Sequence, residues 1–119
     1  MKTNVFVTNY VDFDLDDAWR FASKGGSIIP ITKGKINIFN VESLLRKIKT
    51  SLVQMEADDW VVISGNPVVS SLVCSHISQK YKKINLLLWD ARNRCYVPRK
   101  VSIKETLSEE DFDEKNFNQ

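Results

Sequence analysis

Residues 60–67 read Trp-Val-Val-Ile-Ser-Gly-Asn-Pro, and residues 84–89 read Ile-Asn-Leu-Leu-Leu-Trp. Each apolar run is short and continuous, which is typical of a strand buried on both faces of a parallel sheet. Between the runs, Asn66 and Pro67 are preferred residues for the cap and first turn of a helix, and apolar residues then recur at helical spacing. The segment predicts a βαβ unit with a helix over 67–82, parallel strands and a right-handed crossover.

The chain before this unit contains a first strand and two more predicted helices. Residues 4–8 are rich in β-branched and aromatic side chains and predict a strand. Asp14 is a good N-cap followed by acidic residues, so we predict a helix over 14–24 that ends at the glycine pair 25–26. Apolar residues at helical spacing on one face predict a longer helix over 41–56.

Two further segments predict additional strands. Residues 27–32 and 35–39 flank a Lys-Gly pair and predict a β-hairpin or a tight bend. Pro30 lacks an N–H for ladder hydrogen bonding, so its strand is expected at an edge. Residues 95–103 follow a polar turn and predict a final strand antiparallel to 84–89.

These elements predict an α/β fold: a single-domain mixed sheet with a parallel βαβ core, flanking helices and a C-terminal antiparallel hairpin. The chain has 119 residues, a size typical of one domain. We assign residues 1–104 to that domain and expect 105–119 to be an acidic, mobile tail. Ten side chains are expected to be mostly buried: Leu44, Leu45, Ile48, Trp60, Val62, Ile63, Leu72, Val73, Leu86 and Leu88.

Composition argues against several classes of protein. No apolar run reaches the ~18 residues needed to span a bilayer. Cys74 and Cys95 are the only cysteines and His76 is the only histidine, so we expect reduced thiols and no metal site. The N-terminal residues turn acidic rather than apolar, so we expect no export and a cytoplasmic location.

The net charge of +2 hides a segregation along the chain. Residues 18–104 carry fifteen Lys and Arg against five Asp and Glu, whereas residues 105–119 carry six acids against one lysine. A basic body attracts polyanions, an acidic tail competes for the same surface, and such charge also simply maintains solubility. Tyr81 and Tyr96 interleave with the cations, which suits single-stranded nucleic acid. The predicted polyanion-binding residues are Arg46, Lys47, Lys80, Lys82, Lys83, Arg92, Arg94, Arg99 and Lys100.

Polar residues follow the predicted parallel strands, where ligands bind in open α/β sheets. The turn after residue 63 also begins a helix, whose free N–H groups favour a phosphate or carboxylate. The same residues also serve as ordinary turn and cap residues. The predicted ligand-binding residues are Thr8, Asn9, Ser64, Gly65, Asn66 and Asp90.

No catalytic set, cofactor motif or metal cluster is visible, so a binding protein is favoured over an enzyme. The first hypothesis is a non-enzymatic accessory protein whose basic surface binds nucleic acid or another protein. The alternative is a nucleotide- or phosphate-ligand-binding protein, or a small enzyme, that acts at the strand ends.

Four segments together resemble small, uncharacterised α/β proteins encoded by bacteriophages and mobile elements. They are Asp14–Ala18 before the glycine pair, Ile31–Gly34, Asp58–Gly65, and Leu86–Asp90 leading to Tyr96. The resemblance covers most of residues 3–103 and implies no activity. It implies the host-cell cytoplasm as the location.

Overall fold

The computed structural model describes residues 2–102, which fold around one five-stranded sheet. The strands are β1 (Val5–Tyr10), β2 (Ile28–Lys33), β3 (Trp60–Val62), β4 (Lys83–Asp90) and β5 (Cys95–Ser102). The helices are a 3₁₀ helix η1 (Asp16–Phe21) and the α-helices α1 (Val41–Leu52) and α2 (Pro67–Tyr81). The predicted acidic tail, 105–119, lies outside the described residues.

The strand order is β2-β1-β3-β4-β5. The first four strands in this order pair in parallel, and β4 and β5 form an antiparallel hairpin in which Trp89 pairs with Tyr96. The mixed sheet with a parallel βαβ core and a C-terminal hairpin is therefore confirmed. The apolar run of β3 lies at the centre and pairs with β4 in parallel, as predicted.

Both α-helices pack on the same face of the sheet. Apolar side chains of α1 and α2, including Ile48 and Val73, form one core with Phe6 and Val61. Alternate residues of the same strands, such as Val7 and Val62, face the other way. That second face is covered in part by η1, whose Ala18 is fully buried.

The predicted helix over 14–24 is wrong, because the chain there forms only the short 3₁₀ helix η1. Asp14 Oδ1 accepts a hydrogen bond from the N–H of Asp16 at 2.8 Å, which makes a local turn two residues on instead of an N-cap. At the other end Ser23 donates its N–H to the carbonyl of Thr3 at 3.0 Å. Ala22 is already extended, and the chain then makes a turn at Lys24 and Gly25, so the helix ends before the glycine pair.

Of the two alternatives predicted for 27–32 and 35–39, the β-hairpin is wrong, whereas the tight bend is confirmed at Gly34 and Lys35. β2 pairs in parallel with β1, and the chain leaves the sheet after Gly34, whose N–H donates to the carbonyl of Tyr10 at 2.8 Å. The Thr32 hydroxyl fixes this parallel register, because it lies 2.9 Å from the Thr8 carbonyl oxygen and 2.8 Å from Asn9 Oδ1. The edge position predicted from Pro30 is confirmed, since β2 borders the sheet.

Four of the ten predicted core residues are buried: Leu44, Ile48, Val62 and Val73. Four others are half-buried: Leu45, Trp60, Leu72 and Leu86. Leu88 and Ile63 were predicted wrongly, because they are exposed by 42% and 36%. The helix-covered core reaches Leu86 but ends before Leu88, and Ile63 follows a strand of only three residues.

Candidate functional site

The predicted ligand residues at the ends of β1 and β3 hydrogen-bond to one another. The Thr8 hydroxyl donates to the Ser64 carbonyl at 2.8 Å and accepts from the Ser64 N–H at 2.9 Å. The Ser64 hydroxyl donates to the carbonyl of Asn9 at 2.9 Å. Thr8 and Asn9 are buried, so the network ties the two strands together in the interior of the protein.

Gly65 and Asn66 form the tight connection from β3 to α2. Gly65 has a φ of +71°, and a Cβ there would lie 2.7 Å from Asn9 Nδ2. The Asn66 side-chain oxygen accepts from the N–H groups of Val68 at 2.8 Å and Val69 at 3.4 Å. Two of the amides expected to hold an anion are therefore engaged by the cap itself.

Asp90 forms its hydrogen bonds inside the β4–β5 turn. Its Oδ1 accepts from the N–H of Arg92 at 3.0 Å, and its Oδ2 accepts from Asn93 Nδ2 at 2.8 Å. The hydrogen bond from the Asn93 side chain, followed by that from its backbone, lowers the pKa of the Asp90 carboxyl. The carboxylate stabilises the turn rather than joining the Thr8 network.

A pocket of about 300 Å³ lies on the sheet face opposite the two α-helices. Its walls come from β3, β4, β5 and the loop before η1, and it is lined by Phe13, Asp14, Val62, Ile63, Ser64, Trp89 and Tyr96. The rings of Trp89 and Tyr96 meet edge to face with centroids 4.9 Å apart. Trp89 is nonetheless 46% exposed.

Sequence reasoning named Ser64 as a ligand residue but missed the rest of this pocket. Side chains alternate between the two faces along β4, and Leu86 packs on the face covered by the α-helices. Trp89, an odd number of residues further on, therefore faces away from the α-helices. Its pairing with Tyr96 followed from the predicted hairpin, so this aromatic pair was within reach of the sequence. Phe13 and Asp14 were not, because they belong to the segment wrongly predicted as helix.

One wall of the pocket is held by an ion pair from η1. Asp17 Oδ1 lies 2.9 Å from Arg20 Nε. Asp17 Oδ2 accepts from the N–H of Tyr96 at 2.6 Å, and the Arg20 guanidinium donates to the Tyr96 carbonyl at 2.7 Å. The Tyr96 hydroxyl donates to the carbonyl of Asp14 at 3.3 Å. Burial, followed by the negative charges of Asp14 and Asp17, raises the pKa of Tyr96.

The predicted polyanion-binding residues fall into separate groups. Four exposed cations, Arg92, Arg94, Arg99 and Lys100, belong to the β4–β5 hairpin and are called here the basic hairpin. Arg46 and Lys47 are exposed on α1, and Lys80 and Lys82 lie at the end of α2. Lys83 begins β4 and pairs with Asp58 at 3.0 Å.

Within residues 2–102, no three His, Cys, Asp or Glu side chains are placed to hold a metal ion together. Both cysteines, Cys74 and Cys95, are free. In the same part of the chain, no helix has the length and apolar character needed to cross a membrane.

Comparison with known proteins identifies the family. No curated protein and no solved structure matches the chain. The sequence model of one family, described as Phage Pam3 gp32-like protein, matches residues 4–103, which include every strand, every helix and the pocket described above. This agrees with the resemblance to small phage-encoded α/β proteins seen in the sequence. The chain belongs to the Phage Pam3 gp32-like protein family.

Proposed function

We propose that this protein is a non-enzymatic accessory protein that binds single-stranded nucleic acid through the basic hairpin. The observation that carries the proposal is the exposure of all four cations, Arg92, Arg94, Arg99 and Lys100, on the hairpin that also exposes Trp89. Cations hold phosphates, and an exposed indole offers a surface on which a base stacks. We further propose that it acts in the cytoplasm of the host cell.

The local charge supports a polyanionic partner. Residues 83–102 carry five Lys and Arg against one acid, Asp90. Among these five cations, Lys83 forms an ion pair with Asp58, whereas Lys100 lies over the Trp60 ring and Arg99 donates to the Pro98 carbonyl, contacts that leave their charges unneutralised. The basic hairpin therefore keeps its positive charge for a partner, and phosphates within a Debye length of roughly 8–10 Å are attracted to it.

The shape of the hairpin supports a single strand rather than a duplex. β5 borders the sheet, and Pro98 to Ser102 are exposed along it. On β5, Tyr96 and Lys100 alternate onto the face that carries the aromatic pocket, and Lys100 Nζ lies 5.8 Å from the centre of the Trp60 ring. Arg99 alternates onto the opposite face, so this one surface combines the aromatic side chains with Lys100. Single strands bind to such surfaces because their bases are free to stack.

The test compares two variants that each lose four positive charges. One variant has serine in place of each of the four cations of the basic hairpin. The matched control has serine in place of four cations that are exposed on the helices: Arg46, Lys47, Lys49 and Lys80. Fluorescence anisotropy with a labelled single-stranded 12-mer at low salt should show a large loss of affinity for the first variant and a small loss for the second.

Equal losses for the two variants would show that net charge alone drives binding and would overturn the hairpin site. No binding by the unaltered chain at low salt would overturn the proposal and leave a protein partner or a phosphate-bearing small ligand at Ser64–Asn66 as the remaining hypotheses. Circular dichroism on both variants checks that each is folded.

A further inference from the structure

We propose that the pocket lined by Trp89, Tyr96, Phe13 and Asp14 receives one base of the bound strand and favours a base that carries an amino group. This inference rests on the proposed function, since it adds base recognition to a surface that holds phosphates. The pocket lies on the same hairpin as the basic residues, and Arg92 follows Trp89 by three positions.

The size and walls of the pocket suit a flat aromatic ligand. Its volume of about 300 Å³ is at the small end of ligand sites in proteins, where a few polar groups orient a ligand between apolar walls. Phe13, Val62 and Ile63 are apolar lining residues, whereas Asp14 and Ser64 are the polar ones.

The aromatic pair provides the stacking surface. Tyr96 is 2% exposed and is fixed by hydrogen bonds at its N–H, its carbonyl and its hydroxyl. Trp89 leans edge to face against this fixed ring and remains 46% exposed. An indole held in one orientation before binding loses little side-chain entropy when a base stacks on it.

Asp14 sets the preference among bases. One of its carboxylate oxygens accepts from the N–H of Asp16, and within residues 2–102 the other accepts no hydrogen bond. An ionised carboxylate only accepts hydrogen bonds, so it attracts the amino group of cytosine, adenine or guanine. Thymine presents a carbonyl at the position where cytosine has its amino group, and its single ring N–H donor lies between two carbonyl oxygens that repel the carboxylate.

The first arm of the test separates base stacking from phosphate binding. Two pentanucleotides are compared by anisotropy at about 50 mM salt: pentacytidylate and an abasic strand with the same number of phosphates. The unaltered chain should prefer the strand with bases by about 5- to 150-fold, the range expected for one stacked base. Trp89→Ala should bring this ratio close to one.

Trp19→Ala is the matched control, because Trp19 is 51% exposed but lies on η1 and does not line the pocket. It should keep the ratio of the unaltered chain. A folded Trp89→Ala variant that also keeps the ratio would overturn the pocket while leaving phosphate binding intact. If the unaltered chain bound neither strand, the proposed function would be overturned, and this inference with it.

The second arm tests Asp14 without relying on Trp89. Asp14→Asn keeps an oxygen for the Asp16 N–H but removes the negative charge. The unaltered chain should bind pentacytidylate more tightly than pentathymidylate, and Asp14→Asn should reduce that preference at least several-fold. An unchanged preference, or none in the unaltered chain, would overturn the role of Asp14.

Discussion

The carboxylate of Asp17 accepts a hydrogen bond from the backbone N–H of Tyr96 at 2.6 Å, across 79 positions of sequence. Arg20, the ion-pair partner of Asp17, donates to the carbonyl of the same tyrosine at 2.7 Å. The pair therefore occupies both backbone groups that Tyr96 would offer to a further strand. Pro98, the next residue with the same orientation on β5, has no N–H to offer. These contacts protect part of an edge strand from pairing with another chain.

Replacing Asp17 should change how stability depends on pH. The hydrogen bond from Arg20, followed by that from the Tyr96 N–H, lowers the pKa of the Asp17 carboxyl in the folded protein. Because the pKa of Asp17 is lower in the folded than in the unfolded chain, its carboxylate stabilises the folded protein at pH values above the unfolded pKa of about 3.9. This stabilisation is lost as the pH falls through the folded pKa. Asp17→Asn should therefore unfold at a lower urea concentration than the unaltered chain at pH 7, and the gap should narrow below about pH 4.

Asp12→Asn is the control for this measurement, because Asp12 is an exposed carboxylate in the loop before η1. At pH 7 it should unfold at nearly the same urea concentration as the unaltered chain. A gap for Asp17→Asn that stays constant down to pH 2 would mean that its charge does not stabilise the contact with Tyr96.

The contact between Asp17 and Tyr96 marks a limit of sequence reasoning. The sequence predicted β4, β5 and their hairpin because both are continuous strand-forming runs joined by a polar turn. It failed for residues 14–24, where local capping signals favoured an α-helix but tertiary contacts prevailed. The capping pattern places these acids in the first turn of a helix, whereas Asp17 meets the backbone of a distant strand.

Substitution of Gly65 should destabilise the protein more than substitution of Gly34. Both glycines have positive φ, +71° and +67°, so alanine at either position costs about 1–2 kcal/mol of backbone strain. At Gly34 a Cβ would meet no atom within 4 Å, whereas at Gly65 it would lie 2.9 Å from the carbonyl oxygen of Asn9. Gly65→Ala should cost about 2–5 kcal/mol in total.

Urea unfolding of the two alanine variants checks this difference directly. Both alanine variants are destabilised to a similar extent by the left-handed backbone conformation. The difference between their free energies of unfolding therefore measures the steric clash with Asn9. Equal free energies of unfolding would show that the β3–α2 turn moves aside at little cost, and that the Thr8–Ser64 network is less rigid than its hydrogen bonds indicate.

Truncation on α1 and just after it should separate a buried position from an exposed one. Ile48 is fully buried between α1 and the sheet, so Ile48→Ala should lower the free energy of unfolding by about 2–5 kcal/mol. Val53, just after α1, is 76% exposed, and Val53→Ala should change the free energy of unfolding by no more than about 0.5 kcal/mol. Similar losses at both positions, measured by urea unfolding, would be inconsistent with this packing of α1.

The candidate site was predictable where it depends on strand order and unpredictable where it depends on loops. Parallel strands place their carboxyl ends together, and the structure does bring Thr8, Asn9 and Ser64 into contact. Whether such polar groups face a ligand or one another depends on side-chain rotamers and backbone register, which a sequence pattern does not contain. Here Thr8, Asn9 and Ser64 hydrogen-bond to one another. The open pocket instead forms on the sheet face opposite the α-helices, where Trp89 and the loop with Phe13 line it.

The salt dependence of single-stranded DNA binding distinguishes binding through the basic hairpin from binding that does not use its cations. If each of the four cations of the basic hairpin meets one phosphate, the logarithm of the binding constant should fall with the logarithm of salt concentration with a slope of about −3. Affinity should then drop roughly 50-fold between about 50 and 200 mM salt. Serine at all four positions should bring the slope close to zero. A slope near zero for the unaltered chain, or an unchanged slope for the variant, would contradict the account.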